Sequence, residues 1–287
     1  MSGSGDMKSI AAVQMASGPQ LQANLMEAGR LVGEAAEAGA GMVVLPEMFA
    51  IMGKSDAARV QLTEDEGNGP IQDCLARLAR QHKVWIVAGT IPLRSAQEGR
   101  PYAACLLYDD HGQVIARYDK IHLCDVTVGD EAEVYTESHT NYPGERVVVV
   151  DTPFGRLGLT VCYDLRFPEL YRELSRQGAE ILVIPSAFTE ITGQAHWEAL
   201  LRARAIENLC YVVAAAQGGY HVSGRTTYGH SMVVDYWGRV RGQLNKGSGI
   251  VLLDPDLPAQ RVMRQRFPVL GHRRLVSGNI ASEPCCG

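Results

Sequence analysis

Neither sign of charge dominates these 287 residues: 27 lysines and arginines stand against 32 aspartates and glutamates, a formal net charge of -5. So slight an acidic excess gives no long-range attraction for nucleic acid or an anionic membrane. Long hydrophobic runs are missing as well, since no apolar stretch reaches the roughly 20 residues that span a bilayer. The seven cysteines, at 74, 105, 124, 162, 210, 285 and 286, form neither a CxxC pair nor the Cys/His spacing of a zinc site. Their odd number points to reduced thiols in a cytoplasmic protein rather than a disulfide framework. No apolar segment of the signal-peptide kind precedes the first strand-like run; residues 1–6 are a Gly/Ser leader. The composition, 46% hydrophobic and 21% charged, is that of a globular chain long enough to bury a large core unaided. The expected partner is a small molecule or another protein.

The patterning is α/β. Residues 9–15 (SIAAVQM) read as a buried strand, and Leu21, Leu25, Ala28, Leu31, Val32, Ala35 and Ala36 recur at helical spacing until Gly39 and Gly41 stop the helix. Residues 42–45 form a second strand, 71–81 a helix and 84–91 a further strand. Hairpins follow: 102–108 with 113–118, and 146–151 with 156–161, each around a polar or Gly-containing turn. A helix over 168–177 and a strand over 180–184 come next. They precede a helix with Trp197, Leu200, Leu201 and Ala205 on one face, a strand over 211–216 and a hairpin around 236–238. Strand-helix units interleaved with hairpins imply mixed sheets covered by helices. Neither a linker nor a repeat divides the chain, so residues 8–275 are expected to form one domain between a flexible leader (1–7) and a flexible tail (276–287).

Three polar residues fall at or just past the C-terminal ends of expected strands: Glu47, Lys120 and Cys162. Open α/β sheets bind ligands at that edge, where loops converge on a rigid frame. Each residue alone has an ordinary reading: a solvated loop acid, a surface lysine, a small buried thiol. Together they supply a base, a cation and a nucleophile. Cys162 also sits between a strand and a helix, a turn that exposes a side chain and frees main-chain N–H groups for an oxyanion.

Three stretches carry a resemblance: Leu45, Pro46, Glu47; Tyr118, Asp119, Lys120, Ile121, His122, Leu123; and Val161, Cys162, Tyr163, Asp164, Leu165, Arg166, Phe167, Pro168, Glu169. In order and spacing they resemble the motifs of the nitrilase superfamily of carbon-nitrogen hydrolases, and the likeness extends from about Ile10 to Arg274. The segments His122 to Val126 and Arg225 to Ser231 are most similar to its Nit branch. The resemblance implies a four-layer αββα sandwich with two mixed sheets, a homodimer or larger homo-oligomer, and neither metal nor organic cofactor. It implies an amidase in which Glu47 is the general base, Cys162 the nucleophile that forms a thioester, and Lys120, with the Tyr163 N–H, the oxyanion support. Lys120 is also expected to favour the thiolate. Glu137 best matches the family's second glutamate, with Glu131 and Glu133 close by and an ordinary loop acid as the alternative.

The substrate implied is deaminated glutathione, cleaved to 2-oxoglutarate and Cys-Gly; the alternatives are 2-oxoglutaramate, as for an omega-amidase, the amide of another nitrilase-family amidase, and, more remotely, a catalytically silent scaffold on the same fold. Either substrate carries carboxylates, which arginine forks recognise best. Arg166 and Arg225 are the candidates. Arg166 could instead pair with Glu169 or Glu173, and Arg225 could be a solvated loop charge. By family analogy Phe188, Thr189 and Thr192 line the pocket, although both threonines could be local caps. Trp197 reads as core and His196 as a packing residue. Cys285 and Cys286 are adjacent thiols on the tail, with nothing else to support a redox role.

Overall fold

The computed structural model describes residues 9–55, 57–128 and 133–274, so the leader, the tail cysteines and Glu131 lie outside it. In chain order, β1 (Ser9–Met15), β2 (Ala40–Val44) and β3 (Trp85–Val87) form a parallel run. β4 (Ile91–Leu93), β5 (Tyr102–Tyr108) and β6 (Val114–Asp119) extend it with antiparallel pairings. β7 (Asp125–Val128) and β8 (Glu133–Thr136) form a separate antiparallel ribbon. β9 (Val149–Thr152), β10 (Gly155–Leu159), β11 (Ile181–Val183) and β12 (Tyr211–Ala214) build a second sheet with a parallel centre. The chain then crosses back, and β13 (Ala216–Tyr220) joins β1 with β14 (Thr226–Tyr228) at its side. β15 (Met232–Val234) and β16 (Val240–Gln243) return to the second sheet, and β17 (Gly249–Leu253) pairs antiparallel with β1.

The strand period of two sorts side chains between layers. Ala11, Val13, Val43 and Leu45 face α1 (Leu21–Glu37) and, beyond the four-residue α2 (Ala57–Val60), α3 (Pro70–His82), burying Leu25, Leu31, Ile71 and Leu75. Ile10, Ala12, Met42 and Val44 point the other way, into a core shared with Leu157, Leu159 and Val183 of the second sheet. α4 (Pro168–Arg176) and α5 (Glu190–Asn208) contribute Leu170, Leu174, Trp197 and Leu201 to that core. The order is helix, sheet, sheet, helix, as the resemblance implied; α6 (Leu257–Arg266) packs near the end of the described chain. Trp197 is fully buried and its indole N–H donates to the His230 carbonyl at 2.8 Å. Truncating it to alanine is expected to cost about 3–5 kcal/mol.

Two expected strands are broken. The run 84–91 divides into β3 and β4 because Gly89 adopts φ +53, where a Cβ would lie 2.0 Å from the Pro46 carbonyl oxygen. That close approach holds the end of β2. The run 211–216 divides because Ala214 pairs with Met232 in the second sheet while Ala216 pairs with Gln14 in the first. Residues 211–216 are buried at every position, so apolar patterning carries no mark of the crossing.

Candidate active site

Glu47 follows β2 and Pro46, in a turn fixed by its neighbours. The Met48 N–H donates to Thr90 Oγ1 at 2.9 Å, and Gln217 Nε2 donates to the Glu47 carbonyl at 3.1 Å. Lys120 follows β6, its N–H donating to the Ala103 carbonyl at 3.1 Å. Cys162 opens a 3-10 turn, Cys162–Arg166, that leads into α4. Its N–H donates to the Pro185 carbonyl at 2.8 Å, and its φ of +47 is the left-handed region that non-glycine residues enter mainly where the surroundings enforce it. Asp164, fully buried, enforces it here. Its carboxylate accepts the Val161 N–H at 2.9 Å, the Tyr118 hydroxyl at 2.6 Å and the His122 N–H at 3.1 Å, and His122 Nδ1 lies 2.7 Å away.

These turns bring the three residues together. Lys120 Nζ donates to Glu47 Oε1 at 2.8 Å and to both oxygens of Glu137, at 3.0 and 2.8 Å. Glu137 is oriented in turn by the Cys124 N–H, 2.8 Å from Oε2. Burial alone would push the Lys120 ammonium down, but the Glu137 and Glu47 carboxylates outweigh it and hold the ammonium well above its usual range. At Cys162, burial and the neighbouring Glu47 charge push the thiol well above its usual value. Lys120 acts in the opposite direction, as expected from the sequence, but is outweighed by burial and Glu47.

The trio opens into a cavity of about 430 Å³. Glu47, Lys120, Glu137 and Cys162 line it, together with Tyr163, Arg166, Phe188, Thr189 and Arg225, so every site residue read from the sequence is brought to one place. Arg166 makes no ion pair with Glu169 or Glu173 among the described residues. Glu173 pairs with Arg176, while the Arg166 guanidinium lies 5.1 Å from the Phe188 ring centre and 3.2 Å from His196 Nδ1. Arg225, between β13 and β14, lies 4.4 Å from the Tyr135 ring centre rather than in solvent. Thr189 is also the N-cap of α5, its Oγ1 accepting the Thr192 N–H at 3.2 Å, so the capping and lining readings both hold.

Sequence reasoning missed Arg59 and the ribbon residue Tyr135, which also line the cavity. Tyr135 sits in a short strand of β-branched and aromatic residues that was readable; Arg59 carried no signal. Among the described residues no group of three His, Cys, Asp or Glu side chains is placed to hold a metal ion, and no helix is long and apolar enough to cross a membrane.

Fold and site together define a carbon-nitrogen hydrolase. The chain belongs to the carbon-nitrogen hydrolase family, whose model matches residues 9–265. It is 42% identical over 272 residues to the deaminated glutathione amidase of Yersinia enterocolitica, with 94% of each chain covered. It is 44% identical over 277 residues to the deaminated glutathione amidase of Homo sapiens, covering 95% of this chain and 84% of the human one. Among solved structures it is similar to Saccharomyces cerevisiae Nit3, a member of branch 10 of the nitrilase superfamily, with a TM-score of 0.82 and 32% identity over 93% of this chain and 96% of that one.

Proposed function

We propose that the protein hydrolyses the amide of deaminated glutathione, with Cys162 as nucleophile, Glu47 as general base and acid, and Lys120 as oxyanion support. The observation that carries this reading is the Lys120 ammonium held between Glu47 and Glu137 beside the Cys162 thiol. Glu47 takes the thiol proton as sulfur attacks the amide carbon. At rest the three ammonium protons face three carboxylate oxygens. Protonation of Glu47 neutralises one of those acceptors and releases its N–H toward the new oxyanion, so nucleophile formation and oxyanion support are coupled. The Tyr163 N–H lies in the first turn after Val161, where a helix leaves donors without an internal acceptor, and is the second oxyanion donor. Glu47 passes its proton to the departing nitrogen, leaving a thioester. A water then gives a proton to Glu47 and attacks the thioester carbon; the acid leaves, and the sulfur recovers the proton.

Arg166 and Arg225 place positive charge around the cavity of an acidic chain, which suits a substrate with carboxylates at both ends. Named relatives at over 40% identity support the same choice. The reading includes a cytoplasmic homo-oligomer. Unpaired cysteines support the compartment, and the part-exposed Ile206, Trp237 and Phe267, grouped by a Trp237–Phe267 ring contact and by Ile206 beside Gly238, support self-association. A steady-state comparison of deaminated glutathione with 2-oxoglutaramate, following Cys-Gly and ammonia release, tests the substrate. Higher kcat/KM for deaminated glutathione is expected; the reverse order makes the protein an omega-amidase, and no turnover of either sinks the amidase reading.

A further inference from the structure

We infer that Arg59 is a positioning residue, a strut that fixes the spacing between the two loops whose carboxylates meet at Lys120. The inference rests on Glu47 being the base and adds the element that keeps it in place. Arg59 lies on α2, buried in the cavity wall. Its Nη1 contacts Met48 Sδ at 2.9 Å, and Met48 is the residue after Glu47. Its Nη2 donates to Asn141 Oδ1 at 2.8 Å and to Thr140 Oγ1 at 3.2 Å. Those two residues close the turn begun by Glu137: the N–H groups of Thr140 and Asn141 donate to the Glu137 carbonyl at 3.1 and 2.9 Å. One guanidinium thus touches the loop of each glutamate.

The far end of the strut is fixed. Asn141 is buried, and its carbonyl accepts from Arg100 Nε and Nη2 at 3.1 and 2.9 Å. The near end is a thioether, a weak acceptor on a flexible side chain, at a residue with φ +55. Without the guanidinium, Met48 loses its contact and Asn141 Oδ1 loses a buried donor. Two carboxylates around one ammonium repel each other, and this strut is a tie outside the ammonium that reaches from one loop to the other. A rigid planar fork holds two directions at once, which a lysine does not. Both terminal nitrogens of Arg59 engage protein groups, whereas Arg166 and Arg225 lie against aromatic faces. This geometry favours positioning over carboxylate capture.

The test compares wild type, Arg59→Met, Arg59→Lys, Asn141→Ala and the Arg59→Met/Asn141→Ala double variant, with deaminated glutathione and 2-oxoglutaramate as substrates. Arg59→Met and Asn141→Ala are each expected to lower kcat about tenfold, since small displacements of a catalytic group are costly in rate. KM stays within about twofold and Arg59→Lys gives little rescue. The double variant is no slower than the worse single one, because both cut the same tie. If Arg59→Met fails to melt cooperatively, Asn141→Ala, which leaves α2 intact, decides the matter. A raised KM with unchanged kcat makes Arg59 a substrate receptor and overturns the inference; so does a lowered melting temperature with wild-type kcat. Absence of turnover in the wild type would instead overturn the amidase reading.

Discussion

The Tyr118 hydroxyl donates to Asp164 Oδ2 at 2.6 Å, joining the segment that carries Lys120 to the turn that carries Cys162. Both side chains are buried, and the Asp164 carboxylate pushes the phenol further above the range to which burial has already raised it. The phenol therefore keeps the proton that it donates at neutral pH. Tyr118→Phe should cost about 1.5–3 kcal/mol in urea unfolding, the range for hydrogen bonds to charged groups. It should also lower kcat/KM, because the spacing of Lys120 and Cys162 loosens. Unchanged stability would mean that the two segments are held elsewhere.

Removing the Glu47 charge has opposite effects on thiol reactivity and on turnover. Glu47→Gln removes a negative charge that raises the Cys162 thiol, so iodoacetamide should alkylate Cys162 faster at neutral pH than in wild type. Amide turnover should nonetheless fall by at least about a hundredfold, because the proton shuttle is gone. Lys120→Met should slow alkylation, the cation being the group that favours the thiolate. Peptide mapping of alkylated Cys162 beside kcat measurements reads both. Near-normal kcat/KM in Glu47→Gln would remove Glu47 as the base.

A methyl group at Gly89 meets the Pro46 carbonyl oxygen at 2.0 Å, at a φ of +53. Gly89→Ala should cost more than about 1 kcal/mol through strain and displacement. Because the displaced group precedes Glu47, kcat should fall even at temperatures where the variant is fully folded. Thermal melts and kcat at 25 °C separate the two effects, and a variant with wild-type kcat would show that the turn does not set the position of Glu47.

The contrast between Glu47 and Arg59 marks what the sequence made legible. Glu47, Lys120 and Cys162 stand at strand ends, and strand ends are announced by the apolar runs before them. Their convergence, with Glu137 beside them, needed only the motif order. Arg59 sits on a four-residue helix in a polar stretch, and its meaning comes from Asn141, a partner with no sequence link to it. Mixed sheets covered by helices were legible in the strand-helix patterning, whereas the αββα layering was implied by the family resemblance. The crossing at Ala215 was not legible, since a chain buried on both faces reads the same in either sheet. The net state of the Cys162 thiol was not legible either, because the balance among burial, Glu47 and Lys120 depends on depth and distance.

His221 gives a pH dependence with a definite sign. It is buried, with Nδ1 3.0 Å from the Ser17 carbonyl and Nε2 2.8 Å from Thr227 Oγ1, at the corner that leads to Arg225. Burial pushes its pKa below the usual 6.5. The unfolded chain therefore takes up a proton near pH 6.5 that the folded chain refuses. The stability held above that pH is lost progressively as pH falls from about 6.5 toward the lower folded value. His221→Gln should melt with a weaker dependence on pH between 7.5 and 5.5, checked by calorimetry at several pH values. Parallel curves for the two proteins would exclude His221 as the source.

The central claim, amide cleavage through a thioester on Cys162, is tested most directly by acid-quenching the protein during turnover of deaminated glutathione and mapping the acylated peptide by mass spectrometry. The account predicts the 2-oxoglutaryl group on Cys162, Cys-Gly released in step with its appearance, and neither adduct nor turnover in Cys162→Ala. Turnover persisting in Cys162→Ala, or an acyl group carried on another residue, would contradict it.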